Sequence, residues 1–219
     1  MNMSKRVYIS ADYDPLHGDQ NVVNELVRWG ADSLHKVDFI DMADVKDGVS
    51  GGDDCRICDL KAEFNRRINA SSAAIFIVGN MTQYREAGSL CERYHKAQYL
   101  CSCTPYKKNA SGSRACKIYN VNYYPCDWQY NGLCIINDYS YLRHEFEQAR
   151  MKGKDIIILY NSTRYETSWL PYYMHDYRAI ARPFWKINAY GRYVGDYSYI
   201  KGALSLIHIS EPTRRRGIS

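Results

Sequence analysis

The segment Tyr141-Leu142-Arg143-His144-Glu145-Phe146-Glu147-Gln148-Ala149 holds two carboxylates within one stretch of helical periodicity. Leu142, Phe146 and Ala149 fall at i, i+4 and i+7 and define an apolar stripe. At 100° per residue Glu145 lies roughly 60° from that stripe and Glu147 roughly 140° away. Glu145 is therefore expected to flank the buried face, while Glu147 is expected in solvent, paired with Arg143 at i, i+4. A partly desolvated carboxylate can serve as a catalytic group, and the competing reading is a surface glutamate with no special role. Two further segments carry polar chemistry. Ser10-Ala11-Asp12-Tyr13-Asp14 supplies a hydroxyl, two carboxylates and an aromatic ring, and Gly79-Asn80-Met81-Thr82 supplies a turn whose backbone a ligand could approach. With Tyr141 at the opening of the Glu145 helix, the set suits a sugar or a nucleotide better than an acyl substrate, because it contains no cysteine or histidine nucleophile.

These groups converge only if the elements that carry them converge. Short apolar runs at residues 6–10, 37–40, 73–78 and 155–160 lack strict alternation and are rich in β-branched residues. Such runs read as strands buried on both faces of a parallel sheet. Helical spacings lie between them: Val22, Val23, Leu26 and Trp29, with Asp19 as N-cap and Gly30 as stop; Ile57, Leu60, Phe64 and Ile68; then the Glu145 helix. Alternation of strand and helix predicts βαβ crossovers and a flavodoxin-like, doubly wound α/β sheet. In such sheets ligands bind beyond the carboxyl ends of the strands, near the point where strand order reverses. Ser10–Asp14, Gly79–Thr82 and Tyr141 all fall at those ends. Further along, residues 167–176 read as a poorly formed helix, 179–187 as a last strand and 197–203 as the start of a final helix.

The segments 6–10, 75–82 and Tyr141-Leu142-x-x-Glu145-Phe146-x-x-Ala149, followed by Gly153-Lys154-Asp155-Ile156-Ile157, resemble the TIR-like domains of bacterial Thoeris antiviral defence, the ThsB family. The resemblance covers residues 5–82 and 139–203, with Tyr141-Leu142 where Trp-Val is usual. It implies an enzyme that takes NAD as substrate, cleaves its nicotinamide–ribose bond and makes a cyclic or conjugated ADP-ribose messenger. Glu145 would be the catalytic residue. Ser10, Asp12, Tyr13, Asp14, Gly79, Asn80, Thr82 and Tyr141 would contact the substrate, with Tyr13 stacked on nicotinamide or adenine. The implied partner is an effector protein reached through the diffusible nucleotide, and the family's mobile loop, at residues 41–54 here, implies self-assembly. A different class of function is a non-catalytic TIR-like signalling or interaction module.

Residues 83–138 are too long for a simple connection and hold six of the eight cysteines, so they read as an inserted subdomain. Cys91-x-x-x-His95 puts two ligands on one helix face, and Cys101, Cys103 and Cys116 follow. A Tyr-rich unit with little aliphatic core gains stability from a structural Zn, although the spacing is not a standard zinc signature. Cys55-x-x-Cys58 is read as packing, and Gly48-Val49-Ser50-Gly51-Gly52 matches the nucleophile-elbow pattern without its flanking strand and helix.

Lys and Arg total 29 against 24 Asp and Glu, a charge of +5 with 46% apolar residues. That composition excludes disorder, and no stretch reaches the roughly 18 apolar residues of a membrane span. Leu204 to Arg214 resembles the translation of a sequencing-library adapter, so residues 204–219 are read as an artefactual tail and the domain as 5–203. Three arginines and one glutamate leave with that tail, which takes the charge from +5 to +3. So weak a positive balance speaks against a nucleic-acid partner. The start of the chain runs into a strand without a long apolar signal region, which points to a cytoplasmic protein.

Overall fold

The computed structural model describes residues 5–14, 16–32, 37–41, 57–84 and 141–210. Five parallel strands form one sheet: β1 (Lys5–Ser10), β2 (Val37–Asp41), β3 (Ala73–Val78), β4 (Asp155–Tyr160) and β5 (Arg182–Pro183), in the order β2-β1-β3-β4-β5. The chain leaves β1 toward β2 and returns to place β3 on the other side of β1. Strand order thus reverses between β1 and β3, as expected of a doubly wound sheet. Val7 pairs with Ala73 and Ser10 with Phe76, so β1 and β3 end together at the carboxyl edge.

Side-chain alternation divides the core into two layers. Tyr8, Ala74, Phe76, Val78, Ile158 and Tyr160 face one way, where α2 (Ile57–Ala70) and α3 (Tyr141–Met151) cover them through Phe64, Ile68, Phe146 and Ala149. Val7, Ile9, Ile75, Ile77, Ile157 and Leu159 face the other way, under α1 (Gln20–Gly30) and α4 (Tyr197–Ser210). Every residue of β3 is buried, which explains its continuous apolar run. Phe146 locks α3 onto the first layer by ring contacts with Phe76 at 5.3 Å and Tyr177 at 5.2 Å. On the second layer Trp29 stacks on Tyr197 at 4.8 Å and joins α1 to α4.

α3 stops where the chain needs a left-handed residue. Gly153 has φ 60°, its amide donates to the Arg150 carbonyl (3.0 Å) and that of Lys154 to the Ala149 carbonyl (3.0 Å). These are the bonds of a helix C-terminal motif that a glycine makes cheaply. The Lys154 ammonium then donates to the carbonyls of Asn69 (3.0 Å) and Ser71 (2.6 Å), tying the start of β4 to the end of α2.

Two expectations change after β4. The poor helix over 167–176 is two 3-10 segments, Thr167–Trp169 and Tyr172–Tyr177, separated by Pro171, whose missing N–H cannot continue a helix. The last strand over 179–187 splits into β5 and β6 (Trp185–Ile187), and β6 pairs instead with β7 (Tyr193–Gly195) as an antiparallel hairpin. Phe184 stands at the break, fully buried in the second layer. The final helix begins at Tyr197 as expected and runs to Ser210 as α4, with Leu204, one turn beyond Ile200, buried beside it in the second layer. Residues 85–140 lie outside the described residues, and with them Cys91, His95, Cys101, Cys103 and Cys116. Among the described residues no helix is long and apolar enough to cross a membrane.

Candidate functional site

The carboxyl edge of the sheet gathers the loops after β1, β3 and β4. After β1 the chain folds on its own acids. Asp12 accepts the Asp14 amide (3.1 Å), and Asp14 accepts the amides of Leu16 (3.0 Å) and His17 (2.9 Å). The amide of Asp19 donates to the Asp12 carbonyl (2.6 Å), which seats Asp19 at the head of α1. Asp12 and Asp14 thus build the turn that carries the chain from strand to helix.

After β3 the turn closes on Thr82. The Gly79 amide donates to the Thr82 hydroxyl (2.7 Å) and the Thr82 amide returns a bond to the Gly79 carbonyl (3.2 Å), while Asn80 is exposed. Gly79 has no room for a side chain, because a Cβ there would overlap Asp19 Oδ1 and lie 2.9 Å from its Cγ. Asp19 sits at the N-cap of α1 without capping it through its side chain. Its carboxylate instead accepts from Asn161 Nδ2 (2.9 Å), the residue that follows β4. Asn161 also exchanges bonds with Asn21 (3.0 and 3.2 Å) and accepts from Trp185 Nε1 (2.8 Å). One buried carboxylate and one amide therefore tie together the ends of β1, β3 and β4.

Glu145 is more deeply placed than its spacing implied. It is 0% exposed, with both carboxylate oxygens removed from solvent, one turn into a helix that is buried from His144 to Ala149. The reason is α2. His144 Nε2 meets Asn65 Oδ1 at 2.9 Å and Gln148 donates to Asn69 at 2.9 Å, so the face beside the apolar stripe is covered by a second helix. Glu147 corrects the expectation directly. It is 6% exposed rather than solvated, and its partner is Arg150 at 2.6 Å, one turn toward the helix C-terminus. Arg143 points elsewhere, over the rings of Tyr172 (5.2 Å) and Tyr173 (5.7 Å). A cation beside two aromatic faces gains from the ring quadrupoles what it would have gained from the acid.

The structure divides the sequence-derived residues between the two faces of the sheet. By strand alternation Ser10 follows Tyr8 onto the α2/α3 face. Its hydroxyl and that of Tyr160 are both buried there, without a hydrogen-bond partner among the described residues. Burial pushes the Tyr160 hydroxyl above its ordinary value. Tyr141 is on the same face, set edge-on against Phe64 at 5.7 Å. Tyr13 packs on the opposite layer, with α1 and α4. Ser10, Tyr141 and Glu145 thus share one side of the edge, Tyr13 has the other, and the Gly79–Thr82 turn closes the end of β3 between the two layers.

Sequence reasoning missed Asn161, Trp185 and the role of Asp19. The signal for Asn161 was present: it directly follows the fourth strand, and the rule that selected Gly79 after β3 selects it as well. Beside it a cleft of about 630 Å³ runs between α1 and the β6–β7 hairpin. Glu25 on its wall accepts from Tyr197 (2.5 Å) and from Arg28 (2.5 and 2.6 Å). Burial works to raise the Glu25 carboxyl, yet these donors outweigh it and the net direction is downward. Burial and the Glu25 bond both push Tyr197 upward. A lowered carboxyl contributes stability above its unfolded value near 4.5 and loses it as pH falls through the folded value. Wild-type stability is therefore expected to drop more steeply below about pH 4.5 than that of Glu25→Gln, as read by chemical denaturation across that range; parallel curves would remove Glu25 from the acid response.

Fold and edge together define an open, doubly wound α/β domain whose polar groups meet where strand order reverses. No protein-family model, no curated protein and no solved structure matches the chain.

Proposed function

We propose that this chain is a TIR-type enzyme that consumes NAD, breaking the nicotinamide–ribose bond and releasing a cyclic or conjugated ADP-ribose messenger for an effector protein in antiphage defence. The observation that carries the reading is Glu145, a carboxylate withdrawn from water on the helix that opens at the carboxyl edge, on the face that also holds the buried Ser10 hydroxyl. The reversal of strand order between β1 and β3 supports it, since that is where such sheets take nucleotides. On this reading residues 83–138 form a Cys-rich subdomain inserted into the TIR-like core, held by a structural Zn.

The chemistry follows from the charge. When the C1′–N bond breaks, its electron pair goes to the pyridine nitrogen, nicotinamide leaves neutral, and the ribose carries oxocarbenium character. A fixed carboxylate at Glu145 stabilises that positive charge, and does so more strongly away from water. Capture at C1′ by water gives ADP-ribose and a proton; capture by a nucleophilic atom within the substrate gives a cyclic product.

The same burial favours a second reading, a non-catalytic TIR-like signalling or interaction module in which Glu145 only holds α3 in the first layer. Incubation of the full chain with NAD separates the two. The enzyme releases nicotinamide with an equal amount of ADP-ribosyl product, resolved by mass-detected chromatography, alone or after addition of phage-infected cell extract. NAD recovered intact under both conditions selects the module.

A further inference from the structure

The cleft over α1 lies on the opposite side of the sheet from Glu145, since α1 packs on the Val7/Ile9/Ile75 layer and α3 on the Tyr8/Phe76 layer. Its volume of about 630 Å³ falls within the ordinary range of small-molecule sites. From the geometry of its wall we infer that it binds a nucleoside monophosphate, as a second site distinct from the one that holds Glu145.

Three kinds of group converge on it. Tyr193 lies on the short strand β7 with its side chain 67% exposed, a flat ring open to a base. Trp185 stands beside it, its plane fixed by the bond from Nε1 to Asn161 and by an edge contact with Phe184 at 4.8 Å. Ser162 and Thr163 on the β4–β5 connection line the wall; the Ser162 hydroxyl already donates to Glu166 (3.3 Å) and accepts the Arg164 amide (3.0 Å), so Thr163 is the hydroxyl that a ribose meets. Arg28 supplies the charge. Its guanidinium is 76% exposed and reaches Glu25 through Nη2, which leaves Nε and Nη1 uncommitted to that acid.

Among the described residues Glu25 is the one carboxylate on the wall, and it is already met by Arg28 and the Tyr197 hydroxyl. An approaching phosphate therefore meets a guanidinium and not a free acid. A base that stacks on a ring is held through its π-face with little sequence demand, and a planar guanidinium suits a phosphate. The occupant would also touch Asn161, which holds Asp19 against Gly79, so the cleft is joined by two side chains to the turn after β3. The assignment goes beyond NAD turnover and stands whether or not Glu145 is catalytic.

Calorimetric titration of the full chain with AMP, and separately with adenosine, tests it. Saturable AMP binding is expected, about tenfold weaker in Tyr193→Ala, the scale of one lost base–aromatic stack. Arg28→Ala is expected to weaken AMP while leaving adenosine unchanged, because only the phosphate uses the guanidinium. Both residues are exposed, so the variants keep the fold, which far-UV circular dichroism verifies. Absence of saturable binding at millimolar AMP, or binding that neither substitution changes, overturns the assignment. Adenosine that binds as tightly as AMP overturns the role of Arg28.

Discussion

Gly79→Ala is expected to destabilise the folded chain by about 3 kcal/mol, the upper part of the overpacking range. The added methyl meets the Asp19 carboxylate, and neither side can retreat. Gly79 is pinned to Thr82 by two hydrogen bonds, and Asp19 is held through its amide by Asp12 and through its carboxylate by Asn161. Relief requires the carboxylate to leave its site, at the loss of a bond to a charged group worth about 1.5–3 kcal/mol. Urea denaturation measures the change, and a loss below about 1 kcal/mol would show that Asp19 has somewhere else to go. The decisive control is the double variant. With Asp19→Ala in place the three atoms nearest the methyl are gone, so the cost of Gly79→Ala should shrink by more than about 1 kcal/mol, a coupling that sites without contact do not show. Asn161 keeps its Asn21 partner in that background, so the β4 end stays anchored.

The second large effect concerns turnover. Glu145→Gln keeps the volume and one carbonyl oxygen of a fully buried side chain and removes its negative charge. On the proposed chemistry the loss falls on the oxocarbenium transition state. Nicotinamide release is expected to drop by about 10²–10³-fold, the cost of deleting one preorganised electrostatic contact. The melting temperature should hold within a few degrees, since a neutral amide is no harder to bury than a charged carboxylate. Glu147→Gln is the matched control. Glu147 is also buried and pairs with Arg150 on another face of the helix, so its substitution should leave nicotinamide release intact. Nicotinamide release at the wild-type rate from a folded Glu145→Gln protein would take Glu145 out of the reaction.

Which parts of this were legible in the sequence follows from how locally each is determined. β3 and β4 are found at the residues predicted, 73–78 and 155–160, because a strand buried on both faces must be apolar without interruption. The helices were legible from their stripes: Val22, Val23 and Leu26 on α1, Phe64 and Ile68 on α2, and Phe146 and Ala149 on α3 are all buried. Periodicity failed where a second neighbour covers a polar face. Glu147 was assigned to solvent on its angle alone, yet it is buried, as are His144 and Gln148 where Asn65 and Asn69 approach from α2. No pattern within residues 141–151 states that another helix lies there.

The edge was partly legible for the same reason. The ends of β1 and β3 were identified as places where ligands bind, but not the clamp that Asp19 and Asn161 make across 142 residues of chain. Read locally, Asp19 is an N-cap, and only the folded sheet brings a partner to its carboxylate.

The shortest strand has a consequence for how copies of the chain could assemble. β5 is two residues long and terminates the described sheet order. The Phe184 amide turns inward to the Tyr160 carbonyl at 2.9 Å, so by alternation the backbone nitrogen of Pro183 faces the open side. That nitrogen carries no hydrogen, and an incoming strand finds no donor where its ladder would begin. Filaments grown by continuous pairing through this margin are thereby disfavoured, and any self-assembly that starts here has to use helices or loops as its contact surface.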